Sequence, residues 1–267
     1  MQLRFQASGQ PGYEAIIKNH PALNYIQEFG VLCLSGDDIF AKNTGPCEAI
    51  LHLIEGSCAI AVDNQPFARL DGRDSPFSDR PAAVYLPPQT QYLIHAFGGG
   101  QVELTISHAA ATAGGEPTVI RPDGKSGGEV GQDNWQRQVT MIAPPKFPAQ
   151  RLILGETVNP SGNWSGVPTH KHDTYQPGQE SIHEELYYFR TDHPGAWGVE
   201  RIYDKHDLDE LVLLQDRTVV IMPRGYHTVA AAPGSTLYYA FVMAGPEKQI
   251  MTWLDPDQAW IADKGIQ

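Results

Sequence analysis

The chain has 267 residues, of which 41% are hydrophobic and 19% are charged, and this composition supplies enough apolar side chain for a folded core. Its formal net charge of -12 disfavours binding to nucleic acid or to an anionic membrane surface. No apolar segment follows Arg4 near the start, and no run of about 18 apolar residues occurs in the sequence. We therefore expect a cytoplasmic protein without a signal peptide or a membrane span.

Short apolar segments separated by turn residues run along the whole chain. They are rich in Val, Ile, Leu and Tyr, and 26 Gly and 21 Pro residues provide the turns between them. Examples lie at residues 49–56, 58–64, 82–88, 151–158, 185–189, 218–223 and 237–243. This pattern predicts an all-β fold of the sandwich, jelly-roll or barrel type.

A weak internal repeat relates the two halves of the chain. Residues 83–92 and 220–228 each read as a strand that ends at a proline, followed by a tight turn and a second strand. Glu48 and Glu185 precede their proline turns by about the same distance. The repeat predicts two homologous β domains.

Two further segments mark the connection and the end. Residues 109–131 contain three consecutive alanines and two Gly–Gly pairs, and they predict a linker between the halves. Asp255 and Pro256 combine an N-cap acid with a proline at the first helical position, which predicts a short closing helix.

Residue types that bind metals are concentrated in the second half. His170 and His172 are two residues apart in an extended segment, so their imidazoles point to the same side of a strand. Glu185 opens the next apolar strand, and His227 follows a turn that begins at Pro223. Three imidazoles and a carboxylate suit zinc, manganese or ferrous iron, and open positions remain for water or substrate.

The order of these residues resembles the paired motifs of the cupin superfamily, whose members hold a metal inside a small β-barrel. The resemblance implies that the metal ligands are His170, His172, Glu185 and His227. Residues 173–184 are a longer insertion than cupins commonly have before the glutamate, so we expect a loop at the barrel mouth.

The choice of glutamate stays open at this point. Glu184 adjoins Glu185, and either residue could supply the oxygen ligand. We favour Glu185 because Tyr188 lies three residues later, where cupins commonly place an aromatic residue. Glu184 would then face the other way along the strand.

A closer resemblance covers the chain from residue 161 to about residue 261. The segments that carry it are 161–165, 170–173, 184–188, 201–203, 223–227 and 242–246. In this order they resemble the 5-deoxy-glucuronate isomerases of inositol catabolism, a cupin family related to the 4-deoxy-5-keto-uronate isomerases. The resemblance implies a bicupin, meaning two fused double-stranded β-helix (jelly-roll) barrels with a short C-terminal helix.

The same resemblance implies a domain organisation. We expect a degenerate N-terminal cupin barrel without metal at residues 1–115, a linker or crossover at 116–140 and a metal-binding barrel at 141–267. The N-terminal half has no pair of histidines two residues apart, and Gln91 stands where the metal histidine would be.

The resemblance further implies an aldose-ketose isomerase that converts 5-deoxy-D-glucuronate into 5-dehydro-2-deoxy-D-gluconate through an enediolate. One divalent transition metal per chain would stabilise the developing negative charge, with zinc favoured and manganese or iron as alternatives. We expect a small anionic sugar-acid substrate, no nucleic-acid or membrane partner, and a homo-oligomer.

For proton transfer and for substrate binding, the sequence gives several candidate residues rather than one assigned set. The candidates for proton transfer are His183, Glu184 and Tyr187, of which His183 and Tyr187 share the strand parity of Glu185. The candidate contacts for the substrate carboxylate are Lys171, Arg201 and Arg224, because arginine and lysine are the usual carboxylate partners.

Other functions stay open from the sequence. One is the 4-deoxy-L-threo-5-hexosulose-uronate ketol-isomerase of pectin degradation, which needs a similar site for an anionic sugar. Another is a cupin dioxygenase, which needs redox-active iron. A third is a sugar-binding cupin without enzymatic activity, and the fold alone does not choose among them.

Overall fold

The computed structural model describes residues 1–78, 80–122 and 126–264, without the side chains of residues 262–264. The strands are β1 (Arg4–Gln6), β2 (Gly12–Lys18), β3 (Ile26–Ser35), β4 (Ile39–Asn43), β5 (Cys47–Val62), β6 (Gln65–Arg73), β7 (Ala82–Leu86), β8 (Gln91–Ala96), β9 (Gln101–Ala110), β10 (Thr118–Ile120), β11 (Gly127–Val130), β12 (Arg137–Ala143), β13 (Ile153–Asn159), β14 (Trp164–Lys171), β15 (Glu184–Thr191), β16 (Gly198–Tyr203), β17 (Asp209–Leu214), β18 (Thr218–Met222), β19 (Tyr226–Ala231), β20 (Leu237–Ala244) and β21 (Trp253–Leu254). Two short 3-10 helices span Asp133–Trp135 and Ala259–Lys264. The all-β prediction is confirmed, and among the described residues no helix is long and apolar enough to cross a membrane.

The chain forms two compact units. The N-terminal unit contains Ala7–Asp123 and Ile142–Leu154, and the C-terminal unit contains Met1–Gln6, Gly124–Met141 and Gly155–Gln267. The expected ranges were 1–115, 116–140 and 141–267. In the structure residues 1–6 group with the C-terminal unit, residues 142–154 group with the N-terminal unit, and residues 116–140 are divided between the two units. Residues 116–140, the expected linker or crossover, contain the short strands β10 and β11, the 3-10 helix Asp133–Trp135 and the start of β12.

Hydrogen bonds explain the grouping of residues 1–6 and of residues 142–154. Strand β1 adds to the edge of β18, with Phe5 opposite Val219, so the first six residues belong to the C-terminal unit. The buried Glu48 carboxylate accepts the backbone N–H groups of residues 150–152 at 2.6 to 2.8 Å, and this holds that segment in the N-terminal unit.

The N-terminal unit is built around the long strand β5. The first half of β5 pairs with β7 and β9, and its second half pairs with β6 and β8. Gly56 lies between the halves with φ +92°, and a Cβ there would meet the Gln101 carbonyl oxygen at 2.3 Å, so glycine is required at this corner. Fully buried side chains such as Leu51, Leu104 and Ile106 fill the core.

The C-terminal unit consists of two sheets. One has the strand order β1-β18-β15-β20-β13-β12-β11, and the other has the order β17-β16-β19-β14-β21. Aromatic and branched residues dominate β15 and β20, which favours extended backbone. Tyr187 of the first sheet contacts His227 of the second, with ring centroids 6.1 Å apart, so the two sheets enclose an interior.

The repeat predicted from the sequence corresponds to two pairs of strands. Strands β7 and β18 each end immediately before a proline, and β8 and β19 follow them. The first turn is one residue longer than the second, because β8 begins four residues after Pro87 and β19 three residues after Pro223. By strand position the buried Tyr92, rather than the exposed Gln91, therefore corresponds to His227.

The closing helix is present in a tighter form than an α-helix. Asp255 starts the turn, and its carboxylate accepts the backbone N–H of Asp257 at 3.0 Å and the hydroxyl of Tyr203 at 2.5 Å. The 3-10 helix Ala259–Lys264 follows. These contacts anchor the end of the described chain on β16.

Candidate metal centre

Three buried side chains converge inside the C-terminal unit. His172, Glu185 and His227 each offer one ligand atom, and these atoms all lie within 4.8 Å of one another. Oε2 of Glu185 lies 3.1 Å from Nε2 of His172 and 3.3 Å from Nε2 of His227. A buried carboxylate between two imidazoles is a donor set that suits a divalent transition metal.

The strands place these residues from both sheets. Glu185 lies near the start of β15, opposite Met222 of β18 and Met243 of β20. His227 lies on β19 directly opposite His170 of β14, and their ring centroids are 5.1 Å apart. His170 therefore borders the cluster, and its ring lies 6.3 Å from that of His172.

Backbone carbonyls orient all three imidazoles in the same way. Nδ1 of each ring faces a carbonyl oxygen, at 2.8 Å for His172, 3.2 Å for His170 and 3.4 Å for His227. The carbonyls belong to His183, Pro168 and Gly225, respectively. With a proton on Nδ1, each Nε2 keeps its lone pair for the interior, which is the tautomer that a metal ligand needs.

The charges in the cluster favour an anionic carboxylate beside imidazoles. Burial alone would raise the pKa of Glu185, but its contacts with the imidazoles of His172 and His227 lower it to about 2. Burial lowers the pKa of His170 to about 3, and the two neighbouring imidazoles act in the same direction. His170 is therefore neutral at physiological pH and able to donate its lone pair.

The predicted loop between His172 and Glu184 is present, and hydrogen bonds between His172 and His183 close it. The backbone N–H of His183 donates to the carbonyl of His172 at 2.8 Å, and Nδ1 of His172 reaches the carbonyl of His183. Inside the loop, the buried Glu180 accepts hydrogen bonds from the backbone N–H groups of Asp173 and Thr174 at 2.9 and 3.0 Å. The loop thus holds His172 in place at the edge of the site.

The three candidates for proton transfer lie in different surroundings. Both ring nitrogens of His183 are engaged, Nδ1 with the Ser181 hydroxyl at 3.1 Å and Nε2 with the Glu247 carbonyl at 2.9 Å. Glu184 is buried but lies outside the group of His172, Glu185 and His227, because adjacent residues of a strand face opposite ways. Tyr187 faces the interior beside His227, and its catalytic role stays a prediction, as do those of the other two.

The three candidates for binding a substrate carboxylate lie outside the cluster. Lys171 forms ion pairs with Asp173 and Glu180 at 2.5 and 2.7 Å within the loop. Arg201 pairs with Asp209 on the outer face of its sheet, because its neighbour Ile202 is the residue that faces His227.

Arg224 forms ion pairs with Asp204 and Asp207. It lines a cleft together with Lys171. Each of the three cations already forms an ion pair with a neighbouring acid. Their role in substrate binding stays a prediction.

Sequence reasoning missed four residues around the interior. Tyr239 stacks on Tyr187 with ring centroids 4.6 Å apart, and its hydroxyl shares a hydrogen bond with Ser165. Arg137 lowers the pKa values of both tyrosines by its charge, although burial is the larger effect and raises them. Glu200 is completely buried on β16. The strand VERIY does not alternate cleanly between apolar and polar residues, so its inward face is not readable from sequence.

The family model for KduI/IolB matches residues 4–261. The chain belongs to the KduI/IolB family. Among its curated relatives, a 5-deoxy-glucuronate isomerase from Geobacillus kaustophilus is 34% identical over 244 residues, which cover 89% of this chain and 86% of the relative. A 5-deoxy-glucuronate isomerase from Bacillus subtilis strain 168 is 31% identical and covers 91% of this chain and 89% of the relative.

Solved structures agree with this KduI/IolB assignment. An IolB-like protein from Salmonella typhimurium LT2 has a TM-score of 0.91 and 30% identity, over 98% of this chain and 100% of that one. Oxalate decarboxylase from Lactobacillus farciminis has a TM-score of 0.67 with 13% identity, over 98% and 90% of the two chains. This second likeness extends the shared fold beyond the family.

Proposed function

We propose that the protein is an aldose-ketose isomerase that converts 5-deoxy-D-glucuronate into 5-dehydro-2-deoxy-D-gluconate in myo-inositol catabolism. The observation that carries the proposal is the buried His172–Glu185–His227 group in a chain that matches 5-deoxy-glucuronate isomerases over about nine-tenths of its length. The isomerisation moves one hydrogen from C2 to C1 and one proton from O2 to O1, so it needs stabilisation of an enediolate and no external redox partner.

We assign one divalent transition metal per chain to His170, His172, Glu185 and His227, with zinc favoured and manganese or iron as alternatives. The donor set supports this, since His172, Glu185 and His227 converge on one interior position and the ring of His170 lies beside that of His227. When bound, the metal supplies Lewis-acid polarisation of the substrate carbonyl. The carbonyl acceptors of the three imidazoles keep their Nε2 atoms in position.

The substrate carboxylate needs a cation, and Arg137 is the best placed. Its guanidinium acts electrostatically on Tyr187 and Tyr239, which line the interior. Its Nε is buried and has no hydrogen-bond partner within residues 1–78, 80–122 and 126–264, although another nitrogen of the group donates to the Trp135 carbonyl at 3.2 Å. A carboxylate ligand would satisfy that donor.

The domain organisation that fits this function is a bicupin, with one jelly-roll barrel in each compact unit and a metal only in the C-terminal one. The likeness to oxalate decarboxylase supports the fold assignment. The register places Tyr92 and Lys42 opposite each other in the N-terminal unit, at the positions that His227 and His170 occupy in the C-terminal unit. A homo-oligomeric state and a cytoplasmic location stay predictions.

The decisive experiment is an isomerase assay with two sugars and defined metals. Protein stripped of metal should not form the ketose acid from 5-deoxy-D-glucuronate, and addition of zinc, manganese or iron(II) in separate samples should restore turnover. The pectin-derived 4-deoxy-L-threo-5-hexosulose uronate is the matched control substrate. A preference for that control, or oxygen uptake during turnover, would overturn the proposal in favour of the related isomerase or of a cupin dioxygenase.

A further inference from the structure

The side chain of Glu200 is a carboxyl group buried inside the C-terminal unit. It lies on β16 with 0% of its surface exposed. Neither carboxyl oxygen has a hydrogen-bond partner in the part of the chain that the structure describes. Buried polar groups are nearly always hydrogen-bonded, because leaving them unpaired costs folding free energy. An unpaired carboxyl at this position therefore indicates a partner other than the described residues.

The strand register directs Glu200 toward the metal centre. On the neighbouring strand β19, His227 lies opposite Ile202 and Val229 lies opposite Glu200. Residues directly opposite each other in antiparallel strands point to the same face, and residues two apart on one strand do so as well. Since His227 points inward, Glu200 also points inward, about 7 Å further along the barrel.

Glu200 shares this deeper level of the interior with polar groups from both sheets. Ser165 of β14 lies opposite Val229, so Ser165, Val229 and Glu200 form one row across three strands. The Ser165 hydroxyl is hydrogen-bonded to Tyr239, which stacks on Tyr187. The row therefore lies next to the stacked rings of Tyr239 and Tyr187, and Tyr187 contacts His227. A six-carbon sugar acid is long enough to contact both the row and the metal centre.

The surroundings of Glu200 favour the neutral form of its carboxyl group. Burial raises the pKa of Glu200 well above its usual range, and the nearby Glu185 carboxylate raises it further. The negative charge of Glu200, when present, would also raise the pKa of Tyr187, so the two groups are electrostatically coupled. A neutral carboxyl has one oxygen that donates a proton and one that accepts a proton.

We propose that Glu200 is a catalytic residue that carries the oxygen-bound proton between the two reacting oxygens of the substrate. This role rests on the proposed isomerase function. One carboxyl oxygen gives its proton to the carbonyl oxygen of the aldose, and the other carboxyl oxygen takes the proton of the adjacent hydroxyl group. The carboxyl begins and ends neutral, so the step needs no further reactant. The hydrogen that moves between the two carbon atoms is a separate transfer.

The test compares Glu200→Gln with a matched control, Glu156→Gln. Glu156 is a second buried acid of the C-terminal unit, but the Tyr238 hydroxyl donates to it at 2.8 Å. Glutamine keeps the shape of Glu200 and removes its transferable proton. For each variant, kcat and KM with 5-deoxy-D-glucuronate, metal content and the thermal unfolding midpoint are measured.

Glu200→Gln should lower kcat about 100-fold or more, the usual size of an acid–base contribution, while metal content and the unfolding midpoint stay at the wild-type level. Glu156→Gln should keep kcat and lower the unfolding midpoint. A kcat for Glu200→Gln within threefold of wild type would overturn the role of Glu200 alone. If Glu200→Gln loses metal or fails to fold, Glu200→Leu is measured in its place. A folded Glu200→Leu protein with the wild-type kcat would also overturn the role of Glu200. A wild-type protein that does not turn over the sugar would overturn the proposed function together with this role.

Discussion

His172 and Glu185 face each other inside the C-terminal unit, with Nε2 of the histidine 3.1 Å from Oε2 of the glutamate. The two residues are connected by the loop of residues 173–184, and that loop is closed by hydrogen bonds between His172 and His183. The distance between Nε2 of His172 and Oε2 of Glu185 thus depends on the hydrogen bonds that close the loop as well as on the position of β15 in its sheet. Glu180, buried within the loop, links this closure to Lys171.

The first prediction separates the two adjacent glutamates. Glu185→Gln should lower metal affinity, because it removes the anionic oxygen that lies between two imidazoles. Glu184→Gln should keep the metal, because its side chain lies outside the ligand group. Metal content of both variants after dialysis is measured by elemental analysis. Retention in Glu185→Gln together with loss in Glu184→Gln would contradict the register of β15.

The second prediction concerns the role of the metal in folding. His227→Ala should abolish turnover and leave the far-UV circular dichroism spectrum unchanged, because apolar residues of the two sheets form the core of the unit. His193→Ala, a change to an exposed histidine, is the matched control and should keep full activity. An unfolded His227→Ala protein would show instead that the site is structural.

The sequence was sufficient to predict the all-β fold, and it drew attention to His172, Glu185 and His227, which the structure brings together. His170 and His172 are close in sequence. The choice of Glu185 over Glu184 came from the resemblance to cupins, and strand alternation then turns Glu184 to the other face. The side-chain orientations that the sequence did not predict depend on pairing between strands that are distant in the chain. Arg201 appeared suitable for substrate binding, but its strand turns Ile202 and Glu200 inward, and only the register with β19 reveals this.

The N-terminal half gives a second example of the same limit. Counting from the proline matched Gln91 to the metal histidine, but the turn before β8 is one residue longer than its counterpart. A shift of one residue exchanges the two faces of a strand, so Gln91 is exposed and Tyr92 is buried. Likewise, Ala49 lies opposite Leu86 just as Glu185 lies opposite Met222, so Glu48 corresponds to Glu184 rather than to Glu185.

The third prediction concerns Glu48 as a structural anchor. Its carboxylate accepts three backbone N–H groups from residues 150–152 and the hydroxyl of Tyr85 at 3.0 Å. Glu48→Gln should lower the free energy of unfolding by about 2–3 kcal/mol, because the amide loses the charge and offers only one acceptor oxygen. Urea unfolding measures the change. Asp71→Asn removes an exposed acid paired with Arg69, and this control should change the free energy by less than about 1 kcal/mol.

The fourth prediction compares Arg137 with Arg201 as the partner of the substrate carboxylate. Arg137 acts on the tyrosines of the interior and has a buried Nε without a partner among the described residues, whereas Arg201 is held by both oxygens of Asp209 on the outer face. Arg137→Ala should therefore raise KM for 5-deoxy-D-glucuronate about 10-fold to 100-fold, the range expected from loss of a charge-assisted hydrogen bond. Arg201→Ala should leave KM within about twofold, since the bond that it loses lies at the surface.

A neutral analogue of the substrate gives this comparison its control. An aldose that lacks the carboxylate should show the same KM with wild type and with Arg137→Ala, because the missing charge leaves the guanidinium nothing to bind. Arg137→Lys should recover part of the affinity for the acid, since lysine keeps the charge but not the planar pair of donors. If Arg201→Ala instead raises KM for the acid and Arg137→Ala does not, the sugar acid binds on the outer face of β16, and the carboxylate partner is the one that the sequence alone suggested.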